Sequence, residues 1–504
     1  MIKFLTRYNF HFLLIPIFFI WHCCNSYFGL ITWSYILKYG ALYTGLSLAL
    51  FGLGKLLLKR NTRAAIWASV LLTIFFFFGA FHDFVRTNTF FSIISSYSIL
   101  LPIILVIIVV SAIVLRRNKN KQIRMTAYLN AVLLFLLLLE LQITVYQLLT
   151  HKSEKNNLTY GSAAPALNIA AIPDSLKPDI YFIIFDEFAN TQSIKKYTGF
   201  DNSALDSSLL KKGFFVANHA TSNYNATPHS LASTLNLQYL NADLEGYFYT
   251  PSISLKAQKT IEESFFTAAL SASGYDIVNH SIFNFAGTKN LREPFFNFDI
   301  ENILTLETLW GRINKDIWWN VSLRLYSPAE IGKKITQTAL PRRNQTIANI
   351  TNTFNELKKQ PAKPVFVYTH LILPHNPFIY TKDGAIRDLS MYDHKAGKTK
   401  DSLYFQQVLY ANTLIDSMAS LIHHTPSGRP KVMIIAGDHG YRDPEMRDKI
   451  RDKEFANLNA IYFSDKDYSM LNDSLSSVNI FRIISNKYFH AKLPLLKDST
   501  VMLQ

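Results

Sequence analysis

The chain has 504 residues, too many for one ordinary domain, and is 49% hydrophobic and 14% aromatic. Its net charge is +15, but residues 1–150 hold 13 basic and 2 acidic residues (+11) and the remainder holds 38 and 34 (+4). The excess is therefore a topology signal, and the absence of a basic stripe beyond residue 150 argues against a nucleic-acid partner. Cys23 and Cys24 are the only cysteines, so the rest of the chain has no disulfide framework, cysteine nucleophile or zinc–thiolate site.

Five apolar stretches, residues 10–27, 36–58, 64–84, 93–115 and 126–149, have the length that crosses a bilayer core. Lys3 and Arg7 precede the first. Lys59, Arg60 and Arg63 lie between the second and third, with Lys55 at the end of the second, and Arg116, Arg117, Lys119, Lys121 and Arg124 follow the fourth. The alternate loops hold only Arg86, with Lys38 opening the second span. Basic residues mark the cytoplasmic side, so the N-terminus is expected inside and residues 151–504 outside. The first stretch has no small-residue cleavage site and reads as a retained anchor, with Cys23 and Cys24 as packing residues. Glu140, within the fifth, reads equally as a functional carboxylate or as a helix–helix hydrogen-bonding group.

Residues 1–150 thus form a membrane anchor, 151–178 a polar, turn-rich linker, and 179–504 an exterior domain. That domain opens on an apolar strand, Ile180 to Phe185, ending in Asp186 and Glu187. Further buried strands are expected over 364–370, 432–436 and 458–463, and helical spacing recurs over 260–270, 347–357 and 404–422. Strands alternating with helices predict a doubly wound, mainly parallel α/β sheet, with its ligand site outside the C-terminal strand ends. Residues 284–343, with Trp310, Trp318 and Trp319, read as an insertion that caps the site or lies near the membrane. Residues 381–402 read as a solvent-exposed loop, with a lid as the alternative.

Four pieces carry chemistry. Asp186 closes the first strand. Thr227 precedes Pro228 at the start of a predicted helix, where backbone N–H groups favour an anion; taken alone, it fits an N-cap before it fits a nucleophile. His370 and His375 follow a buried strand. A lone histidine is usually structural, but two at one sheet edge with Asp186 and Asp438 point to ligand or substrate contact. Asp438-His439-Gly440 follows the strand Val432 to Ala436 through Gly437, placing a carboxylate and an imidazole at its end.

On these residues, over roughly 178–490, the chain resembles the membrane-anchored branch of the alkaline phosphatase/sulfatase superfamily. That branch includes lipoteichoic acid synthases and phosphoethanolamine transferases. The resemblance implies an alkaline phosphatase-like fold and one divalent ion, manganese or zinc, held by Asp186, Thr227, Asp438 and His439. It implies that Thr227 is the nucleophile and that His375 contacts the substrate, with His370, Glu187 and Arg442 as further contacts. It also implies a multi-pass protein of the bacterial inner membrane. Such a protein moves phosphoglycerol or phosphoethanolamine from a lipid donor to an envelope glycan or lipid through a phosphothreonine.

The C/S-x-P-x-R pattern of true sulfatases is missing. Aligning Pro228 with its proline puts Ala226 at the reactive position and Ser230 at the arginine. Sulfate-ester hydrolysis is accordingly not expected. The alternatives are a phosphodiesterase or phosphatase, and a non-catalytic envelope scaffold.

Overall fold

A computed structural model describes residues 2–87, 92–117, 122–150, 157–159, 165, 167–241, 251–285, 288, 303–318, 328–387, 397–442 and 452–503. They form two compact units, one from residues 1–156 and 296–325, the other from 157–295 and 326–504.

The first unit contains α1 (Ile2–Arg7), α2 (His11–Ser26), α3 (Trp33–Leu58), α4 (Asn61–Thr87), α5 (Tyr97–Arg117) and α6 (Gln122–Leu149). The helices α3 to α6 are each long and apolar enough to cross a membrane. The first expected span, 10–27, corresponds to α2, which has 16 residues and is a shorter apolar helix. At about 1.5 Å per residue it reaches about 24 Å, less than a hydrocarbon core of about 30 Å. Apolar side chains such as Leu105, Val106 and Leu138 cover the outside of these helices, as a lipid solvent requires. Inside, aromatic rings pack: Phe19 and Tyr43 each contact Phe76, with centroids 4.7 and 4.8 Å apart.

Glu140 is buried in this unit and joins α6 to α2. Its carboxylate meets His22 Nδ1 at 2.8 Å and accepts from Asn25 Nδ2 at 2.6 Å. The helix–helix hydrogen bond is thus present.

Residues 303–318, from the expected insertion, belong to this helical unit. Tyr43 donates its hydroxyl to Leu304 O (2.6 Å), and Gly79 N–H donates to Glu307 O (2.8 Å). Arg312 forms a fork on Asp83, at 3.0 and 2.6 Å, and also reaches Glu307. Trp310 and Trp318 are exposed, while Trp319 lies outside the described residues. Residues 388–396 of the expected loop lie outside them too.

The second unit is built on six strands: β1 (Asp179–Phe185), β2 (Phe215–Val216), β3 (Asp276–His280), β4 (Val365–Leu371), β5 (Lys431–Gly437) and β6 (Asn459–Phe463). Their order is β2-β6-β5-β1-β4-β3. The central pairs are parallel, and β6 alone runs against the others. The helices are α7 (Thr191–Thr198), α8 (Ser203–Lys211), α9 (Thr227–Asn236), α10 (Pro251–Glu262), α11 (Phe265–Ala272), α12 (Pro328–Lys358), α13 (Gly397–Leu421) and α14 (Ile480–Phe489).

All of β1 and β4 is buried because apolar groups cover both faces. Tyr181, Ile183 and Phe185 belong to a core with Ile350 and Leu357 of α12 and Val408, Ile415 and Met418 of α13. On the other face Phe182 packs on Tyr368 (5.3 Å) and on Phe481 of α14 (5.0 Å), which stacks on Phe266 of α11 (4.3 Å). Register then positions the chemistry. Ile184 pairs with His370 in β4 and Ala436 in β5, so these three share a face. Asp186 and Asp438, each two residues further on, share that parity at the C-terminal edge.

Candidate active site

One ligand atom from each of Asp186, Asp438 and His439 lies within 4.8 Å of the others, and all three residues are buried. Asp438 Oδ1 accepts the Glu187 N–H at 2.8 Å. Asp438 Oδ2 and Asp186 Oδ1 are buried without a hydrogen-bond partner among the described residues. Two orphaned carboxylate oxygens facing one imidazole are costly unless a cation joins them. His439 Nδ1 donates to Gly440 O at 2.8 Å, which leaves the Nε2 lone pair for a ligand. The residues therefore fit a single divalent ion with mixed oxygen and nitrogen donors.

Close backbone packing holds this edge. A Cβ on Gly437 would come 2.2 Å from Phe188 O, and one on Gly440 would come 2.0 Å from Lys453 O. Only a residue without a Cβ fits at either place.

Thr227 is the first residue of α9. Ala226 occupies the cap position and makes no side-chain cap bond, so the Thr227 hydroxyl is not consumed as an N-cap. Its Oγ1 lies 3.4 Å from His439 Nε2. Ser230, one turn along, donates to Asp438 O at 2.5 Å and ties the start of α9 to the Asp438 backbone.

His370 is fully buried, with Nε2 3.2 Å from Asp186 Oδ2 and Nδ1 3.1 Å from the Tyr368 hydroxyl. His375 is partly exposed. Its backbone N–H donates to Asp186 O (3.2 Å), its Nε2 lies 3.3 Å from Arg442 Nη2, and Glu187 Oε2 is 3.8 Å away. Every site residue named from the sequence therefore lies at this one sheet edge.

Glu187 has a larger structural part than the sequence indicated. Its φ of +65° is in the left-handed region, uncommon for a non-glycine residue. Its N–H holds Asp438, its carboxylate accepts the Arg442 N–H at 2.8 Å, and its carbonyl accepts the Tyr404 hydroxyl at 2.8 Å. Tyr404 also stacks on Tyr441, with centroids 4.1 Å apart. Asn225 donates to Glu454 (2.8 Å) and Leu503 O (3.1 Å), and Asn457 donates to Gly437 O (2.5 Å). No motif marks Tyr404, Asn225 or Asn457; the helix spacing around Tyr404 shows only that it faces the core.

The two aspartates titrate against each other. Burial and the neighbouring Asp186 charge push the Asp438 carboxyl up to about 6. Burial also opposes the Asp186 charge, but His375 and His370 outweigh it and hold that carboxyl below the usual range. Burial, with Arg442 nearby, lowers His439 to about 3 and keeps the imidazole neutral. An ion must then displace one proton, from Asp438, below about pH 6. Metal affinity, titrated calorimetrically, is expected to be constant above that pH and to fall about tenfold per unit below it. An affinity unchanged between pH 7 and pH 5 would contradict Asp438 as a ligand.

A buried carboxylate–imidazole cluster at the C-terminal edge of a largely parallel sheet, with a helix-start hydroxyl beside it, defines a metal-dependent hydrolase or transferase site. Residues 178–488 match the Sulfatase family model, and the chain belongs to the sulfatase family, as an enzyme carrying apolar membrane helices. No curated protein matches the chain.

Similar solved structures include the C-terminal periplasmic domain of the phosphoethanolamine transferase EptC from Campylobacter jejuni. It has 12% identity and a TM-score of 0.38, over 64% of this chain and 92% of that one. The integral membrane lipooligosaccharide phosphoethanolamine transferase A from Neisseria meningitidis has 12% identity and a TM-score of 0.38, over 95% and 93%. The zinc complex of the periplasmic domain of EcEptC from Escherichia coli has 13% identity and a TM-score of 0.37, over 67% and 92%.

Proposed function

We propose that the protein is a membrane-anchored transferase that moves a phospho-alcohol group, phosphoglycerol or phosphoethanolamine, from a lipid donor to an envelope glycan or lipid. The observation that carries this is the Thr227 hydroxyl, free of capping duty and 3.4 Å from His439 Nε2, beside two orphaned carboxylate oxygens.

A divalent ion, manganese or zinc, bound by Asp186, Asp438, His439 and the Thr227 oxygen would stabilise an alkoxide and offset phosphoryl charge. Thr227 Oγ1 forms the new bond to phosphorus as the bond to the lipid alcohol breaks, and the proton Thr227 loses ends on that alcohol. An acceptor hydroxyl then attacks the phosphothreonine and frees Thr227. The β-branch stiffens χ1 and aims the oxygen. His375 and Arg442, held by Glu187, bind the phosphoryl oxygens. His370, buried against Asp186, orients that carboxylate rather than meeting substrate.

The division we adopt is an anchor over residues 1–150, a linker over 151–178 and a catalytic domain from 179. The anchor crosses the cytoplasmic membrane five times, α2 included, with the N-terminus inside. Packing of residues 303–318 on Asp83 and Gly79 of α4 supports this, since loop charges assign that end of α4 to the outside.

Membrane helices favour a lipid donor over a water-soluble ester. Full-length protein incubated with a phospholipid labelled in its headgroup is expected to release diacylglycerol and to transfer the label to a membrane or glycan acceptor. Release of the free headgroup alone would make the enzyme a phosphodiesterase. No turnover together with no bound metal would leave a scaffold.

A further inference from the structure

Within the helical unit, residues of α2, α3 and α6 line a cavity of about 680 Å³. That lies within the range of small-molecule sites, about 300–1,000 Å³. Most of its wall is apolar, as at Trp33 and Leu148, but Trp21, Asn25, Tyr27 and Thr144 bring polar groups to it.

Three of these belong to one connected cluster. Trp21 Nε1 donates to Thr144 Oγ1 (2.8 Å), and Thr144 donates to Asn25 Oδ1 (2.8 Å) or Glu140 O (2.9 Å). Asn25 spends both amide hydrogens on Glu140, at its carboxylate (2.6 Å) and its carbonyl (2.9 Å). All donors of this cluster are engaged, so it offers only oxygen acceptors, backed by a buried carboxylate. Tyr27 adds a hydroxyl that can give or take a hydrogen bond.

Depth identifies the occupant. Asn25 is one residue from the end of α2 and Thr144 five residues from the end of α6, about 2 and 8 Å along the helix axes. Loop charges assign these ends to the outer face of the membrane. The polar cluster therefore sits where the glycerol backbone of an outer-leaflet lipid lies, with the apolar wall at acyl-chain depth. Acceptor oxygens backed by a carboxylate suit a lipid that can donate a hydrogen bond at its glycerol. A phosphate diester has no such donor; diacylglycerol has one free hydroxyl.

We propose that this cavity binds diacylglycerol, with an acyl chain along the apolar wall and the hydroxyl donating to Asn25 or Thr144. The inference rests on the reading above, in which diacylglycerol is the product left when the phospho-alcohol group is transferred. It gives that product a place in the membrane unit.

The test uses full-length protein in phosphatidylcholine vesicles. A diacylglycerol carrying a photoreactive diazirine on one acyl chain is compared with a phosphatidylcholine carrying the same chain. The diacylglycerol probe is expected to label peptides spanning residues 20–36 and 144–148 about tenfold more strongly, the scale of one hydrogen bond to a charge-backed acceptor. Two variants fill the cavity from different walls. Gly40→Phe is one, because a Cβ at Gly40 meets nothing within 4 Å. Leu148→Trp is the other, at an exposed position of α6. Each is expected to lower the labelling about tenfold, as when two methylenes lose their burial. Equal labelling by both probes would mean annular lipid only and would overturn the proposal, as would undiminished labelling in both variants. Labelling reads binding, so Thr227→Ala protein is expected to label as the wild type does, and the site can fail independently of the reaction assigned to Thr227.

Discussion

Thr227→Ala is expected to abolish turnover, by about 10⁴-fold or more, as loss of a covalent nucleophile does, while the protein keeps its metal and its fold. The change deletes an oxygen that caps nothing, at a helix position where Ala226 already fills the cap site. Alanine is a good helix former, so α9 should persist. Asp186, Asp438 and His439 remain as the three other proposed ligands. Thr227→Ser restores the hydroxyl without the methyl that restrains χ1 and is expected to recover part of the rate. The decisive comparison is turnover on a labelled phospholipid beside metal content by elemental analysis. Wild-type turnover in Thr227→Ala would remove the nucleophile assignment, and loss of metal with turnover would make Thr227 chiefly a ligand.

The second large effect is expected at Asp438. Asp438→Asn should lower metal affinity by more than the 10- to 100-fold that loss of an outer-shell partner costs, and turnover should fall with metal occupancy. The carboxamide can still accept the Glu187 N–H, but it brings no charge to the ion. Stability should move the other way in chelator-treated protein. The Asp438 carboxyl is pushed up to about 6 by burial and by Asp186, so above pH 6 its charge opposes folding. That cost is present at pH 7 and disappears as pH falls through 6 toward the unfolded value near 3.9. Metal-free Asp438→Asn is therefore expected to melt at or above metal-free wild type at pH 7, and below it once metal is added. A variant that melts lower in both states would make Asp438 a structural residue.

The legible part of the site lay in short runs. Ile180 to Phe185 and Val432 to Ala436 are short apolar runs of strand length that read as buried strands, and the acids at their ends emerge together because those strands are neighbours. Thr227-Pro228 announced a helix start, and α9 begins there. The less legible parts share a different cause. β2 is two residues long and β3 is only partly buried apart from its exposed first residue, so neither has a periodicity to read. The direction of β6 depends on its connections and not on its composition. Tyr404 and Asn457 act on the site through contacts from residues remote in sequence.

The membrane helices show the same division. Their apolar runs and flanking charges are local properties and could be read directly. The seat of residues 303–318 could not, because Arg312 meets Asp83 across more than two hundred residues of chain.

The sequence by itself determined the residue types of the site, the strand and helix ends that carry them, and the exclusion of thiol chemistry outside the helices. Each follows from local pattern or from counting. Only the tertiary structure decided that Asp186, Asp438 and His439 converge within one ion's reach and that the Thr227 hydroxyl is free of capping duty and faces His439. It also decided that Glu187, in a left-handed backbone, joins Asp438 to Arg442. Convergence depends on register between strands some 250 residues apart, and register is set by packing on both faces of the sheet, which no local pattern encodes.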